Sequence, residues 1–174
     1  YKRQLELGSR MLVAAGIARD VDDGKARMKH ALESGAGLAK LKEMIAAQGG
    51  DAGVCDDVTR LPQAKHLVPV PAPYDGYVAD MDTTAIGYCA QDLGAGRKQK
   101  TDVIDPAVGL VMNVRIGDFV KQGDALATLH LNKPEQAERA IARMQQAVKL
   151  TADKPAIPPL VYASVSPEGV ARGM

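Results

Sequence analysis

At 174 residues with 46% hydrophobic content, the chain is long enough to bury about 70% of the surface its unfolded form exposes, so a sizeable core needs no disulfide or metal staple. Its 22 Lys and Arg against 21 Asp and Glu exclude a broad field for gathering nucleic acid or an anionic membrane, leaving only a local basic loop open. Aromatic residues at 3% without Trp argue against base-stacking surfaces, and Cys55 and Cys89 lack metal-ligand spacing, so two small buried thiols are expected in a soluble, reducing, cytoplasmic setting with no membrane partner.

Tyr1 rather than Met opens the chain, and Lys2 to Ala15 already reads as helix, with Leu5, Gly8, Leu12 and Ala15 on one stripe and no N-cap before them. A chain cut from something longer is expected. Gly16 closes this helix. Asp22 is placed to cap a second, whose Met28, Ala31 and Leu32 share a face before Gly35 ends it, and a third carries Leu38, Leu41 and Ile45 up to Gly49-Gly50. Such narrow apolar stripes need another body to pack on, so residues 1–50 are read as a helical segment belonging with more than itself. Residues 51–65 read as a polar connector broken at Leu61-Pro62, and residues 66–174 as a C-terminal domain.

The period then changes to two. His66 to Pro71 alternates, with prolines that push it to a sheet edge, and Gly76 to Met81 is a stronger strand. Asp82 or Thr83 caps a helix running to about Leu93, with Ala85, Cys89 and Leu93 on one face. A glycine-rich basic loop follows, containing Gly94, Gly96, Arg97, Lys98 and Lys100. Phosphate cradles need a glycine loop that leads into a helix N-terminus, whereas this one leaves a helix C-terminus. Two readings stand: a left-handed cap with solvated charges favoured by the dipole, or a loop whose amides and Arg97 approach an anion.

Val108 to Val114 is a strand candidate, and Ile116 to Ala127 a pair of Gly-Asp turns in which Gly117 and Gly123 make the corners. Phe119, Val120, Leu126 and Leu129 are expected inside a small folded-over sheet. The fold class expected is α+β, a barrel-sandwich-hybrid-like antiparallel β domain with flanking helices. The last helix, Glu135 to about Lys149, carries Ala137, Ile141, Met144 and Val148 on a face that should lie against the sheet. His30, His66 and His130 have no orienting partner or nucleophile nearby in sequence and read as structural or solvated. Asp80, Asp82, Asp102 and Asp105 lack the repeat of a calcium loop and suit capping and turns. Catalytic residues, metal ligands and cofactor sites are not expected in this chain.

Gly117-Asp118 to Leu126 resembles the second half of lipoyl and biotinyl carrier domains, but the modifiable lysine with its Met or Asp-Ala neighbours is missing. A more extensive resemblance is to the pyrimidine-nucleoside phosphorylase and thymidine phosphorylase family. It rests on the ordered set Met44 to Asp51, Asp75-Gly76-Tyr77-Val78 with Met81-Asp82-Thr83, and Leu93-Gly94-Ala95-Gly96-Arg97. Asp102-Val103-Ile104-Asp105, Ala107-Val108-Gly109, Gly117-Asp118, Gly123-Asp124 and the tail Pro158 to Tyr162 complete it. The resemblance implies a C-terminal domain of such an enzyme, preceded by helices from the end of the parent α/β domain.

It also implies a parent enzyme in which a phosphate oxygen attacks the N-glycosidic carbon of a pyrimidine nucleoside, giving free base and pentose 1-phosphate. In the family the phosphate motif and the base-contacting residues lie upstream, so the piece is expected to be inactive by itself and to lend the Gly94 to Lys100 loop to cleft closure. Its partners would be the remainder of the parent chain, with phosphate and nucleoside bound only by the full-length enzyme. The parent would be a homodimer through upstream contacts, leaving the piece free to be a monomer. A prosthetic-group carrier and a free-standing binding module are the competing readings.

Overall fold

A computed structural model describes residues 2–167 and 169–172. The chain divides into two compact units, one made of residues 1–60 with 160–174, the other of Leu61–Pro159.

The first unit holds α1 (Lys2–Ala14), α2 (Val21–Glu33) and α3 (Ala36–Ala47). Gly16, Gly35 and Gly49 follow the three helices at φ 68, 77 and 76, the left-handed values that glycine adopts without a Cβ penalty. The second helix is capped two residues earlier than expected. Asp20 rather than Asp22 accepts from the Asp23 N–H at 2.8 Å, while Asp23 accepts from the Arg19 N–H at 3.0 Å. This reciprocal pair satisfies two backbone donors, which Asp22 could not do from inside the helix. Helices α1 and α2 touch where Gly24 meets Ser9, so closely that a Cβ on Gly24 would lie 2.9 Å from the Ser9 backbone. The same unit contains a hairpin of β7 (Ala163–Ser166) and β8 (Gly169–Arg172).

In the second unit β1 (His66–Pro71), β5 (Ala125–Leu131) and β3 (Gly109–Met112) form one antiparallel sheet in the order β1-β5-β3. A second sheet has the order β4-β2-β6, from β4 (Phe119–Val120), β2 (Gly76–Met81) and β6 (Val148–Thr151). These open three-stranded sheets correct the expected barrel-sandwich-hybrid: the α+β class stands, but among the described residues no sheet closes into a barrel. The reason lies in the strands. β4 is only two residues long, and Pro69 and Pro71 strip β1 of donors, so it ends its sheet as the edge strand its prolines predict.

Both Gly-Asp corners form in the same way. Gly117 N–H donates to Val78 O at 2.8 Å and Val78 N–H to Asp118 O at 2.9 Å; Gly123 N–H donates to Ala72 O at 2.9 Å and Ala72 N–H to Asp124 O at 2.8 Å. Asp118 and Asp124 then tie each turn by accepting from the Arg115 and Lys121 N–H groups. Gly117 at φ 94 and Gly123 at φ 91 supply the backbone that these corners require.

The core lies around β5. Leu126, Leu129 and Leu131 are fully buried together with Val70, Val78 and Met144. Phe119 is not among them. It is 53% exposed and meets Tyr77 edge-on at 5.0 Å, because Val120 takes the inward position and successive strand residues face opposite ways. Helix α5 (Ala137–Ala147) packs on β1, β5 and β6, which meets the expectation for its apolar face. It stops before Lys149. Val148, Lys149, Leu150 and Thr151 alternate buried and exposed, and Lys149 pairs with Asp80 across β2 with Nζ 3.2 Å from Oδ2. Cys89 is buried as expected, while Cys55 is only half-buried.

Candidate functional site

Helix α4 (Thr83–Ala90) begins at Asp82, whose carboxylate accepts from the Ala85 N–H at 2.9 Å. Its C-terminal end widens into a π-type turn over Gln91–Ala95, which Gly94 closes at φ 113. Asp105 N–H donates to the freed Gly94 carbonyl at 3.0 Å, and Asn132 holds the Asp105 carboxylate at 2.7 Å. Gly94 therefore occupies a left-handed position at a helix end, and Gly96 is extended.

The loop beyond is closed on itself. Lys98 N–H and Gln99 N–H both donate to one Asp102 oxygen, at 2.9 and 3.0 Å, and these bonds hold the Asp102 carboxyl below its ordinary value. Gln91 donates to the Arg97 carbonyl at 2.5 Å. Two loop amides that would face an anion are thus already occupied by a side-chain carboxylate. Arg97 and Lys100 are exposed and form no ion pair among the described residues. Lys98 turns the other way and pairs with Asp92.

Asp92 gathers three cations. Lys98 meets Oδ1, Arg143 Nη1 lies 2.5 Å from Oδ2, and Arg139 Nη2 stands 3.9 Å from the same oxygen. The hydrogen bond from Lys98 holds the Asp92 carboxyl below its ordinary range; partial burial opposes this and the neighbouring Lys98, Arg143 and Arg139 charges assist it. A cavity of about 260 Å³ opens here, lined by these four residues with Cys89, Leu93, Glu135, Gln136 and Ala140. Burial pushes the Cys89 thiol up, which makes it a poor nucleophile at its place in the wall.

Of the loop residues singled out in the sequence, the structure brings only Lys98 into this cavity, beside Cys89 and Leu93 of the preceding helical face; Gly94 and Gly96 shape the turn next to it. Asp92, Gln136, Arg139 and Arg143 were not anticipated. The signal was present: Arg139 and Arg143 are four residues apart on the polar side of an amphipathic helix, so they share a face. Of the aspartates singled out, Asp82 caps α4 and Asp102 and Asp105 tie turns, whereas Asp80 lies in β2 and pairs with Lys149. Among the described residues no three His, Cys, Asp or Glu side chains come together as metal ligands would.

The β2 to β6 stretch matches the family model described as the pyrimidine nucleoside phosphorylase C-terminal domain, over residues 77–151. Those residues are similar to that family's C-terminal domain. The match begins within β2 and ends with β6, so it takes in the basic loop, both Gly-Asp corners, and the whole Asp92 cluster. Over 162 residues, 93% of this chain, the sequence is 38% identical to a protein named pyrimidine-nucleoside phosphorylase from Geobacillus stearothermophilus. It is 36% identical over the same share to one so named from Bacillus subtilis (strain 168), and 38% to one from Staphylococcus aureus (strain bovine RF122 / ET3-1). The chain is thus similar to a portion of proteins so named that includes their C-terminal domain, and it spans 37% of the length of these relatives. Among the described residues no helix is long and apolar enough to cross a membrane.

Proposed function

We propose that the whole protein catalyses reversible phosphorolysis of pyrimidine nucleosides, a pentosyl transfer in which a phosphate oxygen attacks the anomeric carbon and the base departs. The observation that carries this is similarity across 93% of the chain to proteins named for that activity, together with the domain match over residues 77–151. Phosphate and a pyrimidine nucleoside are then ligands of the complete, homodimeric, cytoplasmic enzyme. Residues 1–50 are assigned to the end of its α/β domain, residues 51–65 to a connector and residues 66–174 to the C-terminal domain. That domain acts as a brace, catalytically silent by itself.

The loop of Gly94, Gly96, Arg97, Lys98 and Lys100 is assigned to closing the cleft. Its two exposed, unpaired cations, Arg97 and Lys100, are available to anions, and the Asp92 and Asp102 contacts hold its backbone in one shape. Such closure excludes water and places charge where the transition state develops it. In the full-length enzyme, Arg97→Ala with Lys98→Ala is expected to lower kcat/KM for nucleoside phosphorolysis about tenfold or more while leaving a cooperative unfolding transition, since a lost charge-assisted contact is of this order. Steady-state rates equal to those of the unmodified enzyme would reject the loop's role.

A further inference from the structure

The basic loop is held as one body, so whatever fixes its base fixes where its charges stand. Asp102 closes the interior on the Lys98 and Gln99 N–H groups, and at the base the Asp105 N–H reaches back to the Gly94 carbonyl at 3.0 Å. Side chains then tie this body to the rest of its unit from two directions. On the α4 side Gln91 donates to the Arg97 carbonyl, and Lys98 pairs with Asp92 through side chains 55% and 26% exposed, an ion pair that water and salt weaken. On the sheet side Asn132 Nδ2 donates to Asp105 Oδ2 at 2.7 Å, a short, partly buried, charge-assisted bond of a stronger kind.

Asn132 stands directly after β5, the central strand of its sheet, whose last residue Leu131 is fully buried. Its backbone is therefore rooted on a rigid element. The β1–β5 register pairs His66 with Leu131, which brings Lys65 beside Asn132, and the Lys65 N–H donates to Asn132 Oδ1 at 2.9 Å. A carboxylate at neutral pH only accepts and a backbone N–H only donates, so these two partners settle which way the amide points and engage both of its ends. Asp105 is held from both sides as well. Its Oδ1 accepts from the Ala107 N–H at 3.0 Å while Oδ2 faces Asn132, and these bonds, the Ala107 one foremost, keep its carboxyl below the ordinary value.

We propose that Asn132 is a positioning residue, which through Asp105 sets the attitude of the loop that carries Arg97 and Lys100. It acts by presenting a fixed donor to the loop's base. Its effect on turnover rests on the cleft-closing role proposed above for the loop, whereas its hold on the loop involves only groups of this chain.

Hydrogen exchange at neutral pH, followed amide by amide on the chain by NMR, tests the hold. Asn132→Asp keeps the side chain's shape and an oxygen for the Lys65 N–H but turns a carboxylate oxygen on Asp105; the Lys98, Gln99 and Asp105 N–H groups should then exchange about tenfold faster, with β5 amides unchanged. Adding Asp105→Asn makes donor and acceptor trade places and leaves Oδ1 for the Ala107 N–H, so the double variant should return exchange to near the unmodified rate. In the full-length enzyme the single variant should lower kcat/KM for nucleoside phosphorolysis about tenfold, and the double variant should restore it. Loop exchange that is unaltered by Asn132→Asp, matched by equal acceleration in β5, or not restored by the second change would overturn the assignment. Exchange loosened and restored while kcat/KM stays constant throughout would uphold the hold on the loop and reject the cleft-closing role instead.

Discussion

A single carboxylate can hold a loop to a helix that lies far along the chain. Asp92, at the end of α4, pairs with Lys98 in the loop and with Arg143 on α5, fifty-one residues away. Both this carboxyl and that of Asp102 bind protons less readily in the folded chain than in the unfolded one. A depressed folded value means that their contribution is complete above the ordinary carboxylate value of 3.8 and disappears as pH falls through the lower folded value. Urea unfolding midpoints measured from neutral to strongly acid pH should decline on the acid side for the unmodified chain, and decline less for Asp92→Asn, which has one such group fewer. Parallel curves for the two would show that Asp92 contributes nothing through its charge. Phe119 gives a second lesson at this scale. Hydrophobicity marks it for the interior, but its neighbour Val120 is 3% exposed, and strand alternation places only one of two consecutive side chains inward.

Among the elements, α5 does most to join the two sheets' surroundings into one core. Its Met144 is fully buried and Ala140 and Ala147 lie beside it. Met144→Ala leaves a cavity that close-packed neighbours fill only in part, so a loss of about 2–5 kcal/mol is expected in denaturant-measured stability. A loss well under 1 kcal/mol would mean that the helix is loosely docked. Element ends were largely legible: Gly16, Gly35 and Gly49 all have positive φ, and Asp82 caps α4. The prolines of β1 marked an edge. β6 was not legible, because Val148 continues the stripe of Ala137, Ile141 and Met144 and so satisfies a helical period as well as a strand's. What decides is the neighbour: β2 offers Met81, Asp80, Val78 and Tyr77 as a ladder, and residues 148–151 complete it. The second-helix cap was misplaced for a similar reason, since Asp20, Asp22 and Asp23 are equivalent by type and only bond geometry separates them.

For the whole molecule, the chain matches the pyrimidine nucleoside phosphorylase C-terminal domain over residues 77–151 and spans 37% of the length of the relatives it resembles. The proposal that catalysis needs the remaining length has a direct consequence: the purified chain, mixed with phosphate and thymidine or uridine, should release no base by chromatography. Detectable thymine or uracil would contradict it. Family and order of elements were carried by local motifs, because Gly-Asp corners, capping aspartates and terminating glycines each satisfy a backbone need within a few residues of themselves. The sheets did not close as their motifs suggested, since closure depends on strand lengths and donors summed around a ring rather than on any one turn. The cationic cavity likewise became visible only in three dimensions. Lys98, Arg139 and Arg143 are ordinary surface residues along the chain, and the packing of α5 against α4 is what sets them around one carboxylate.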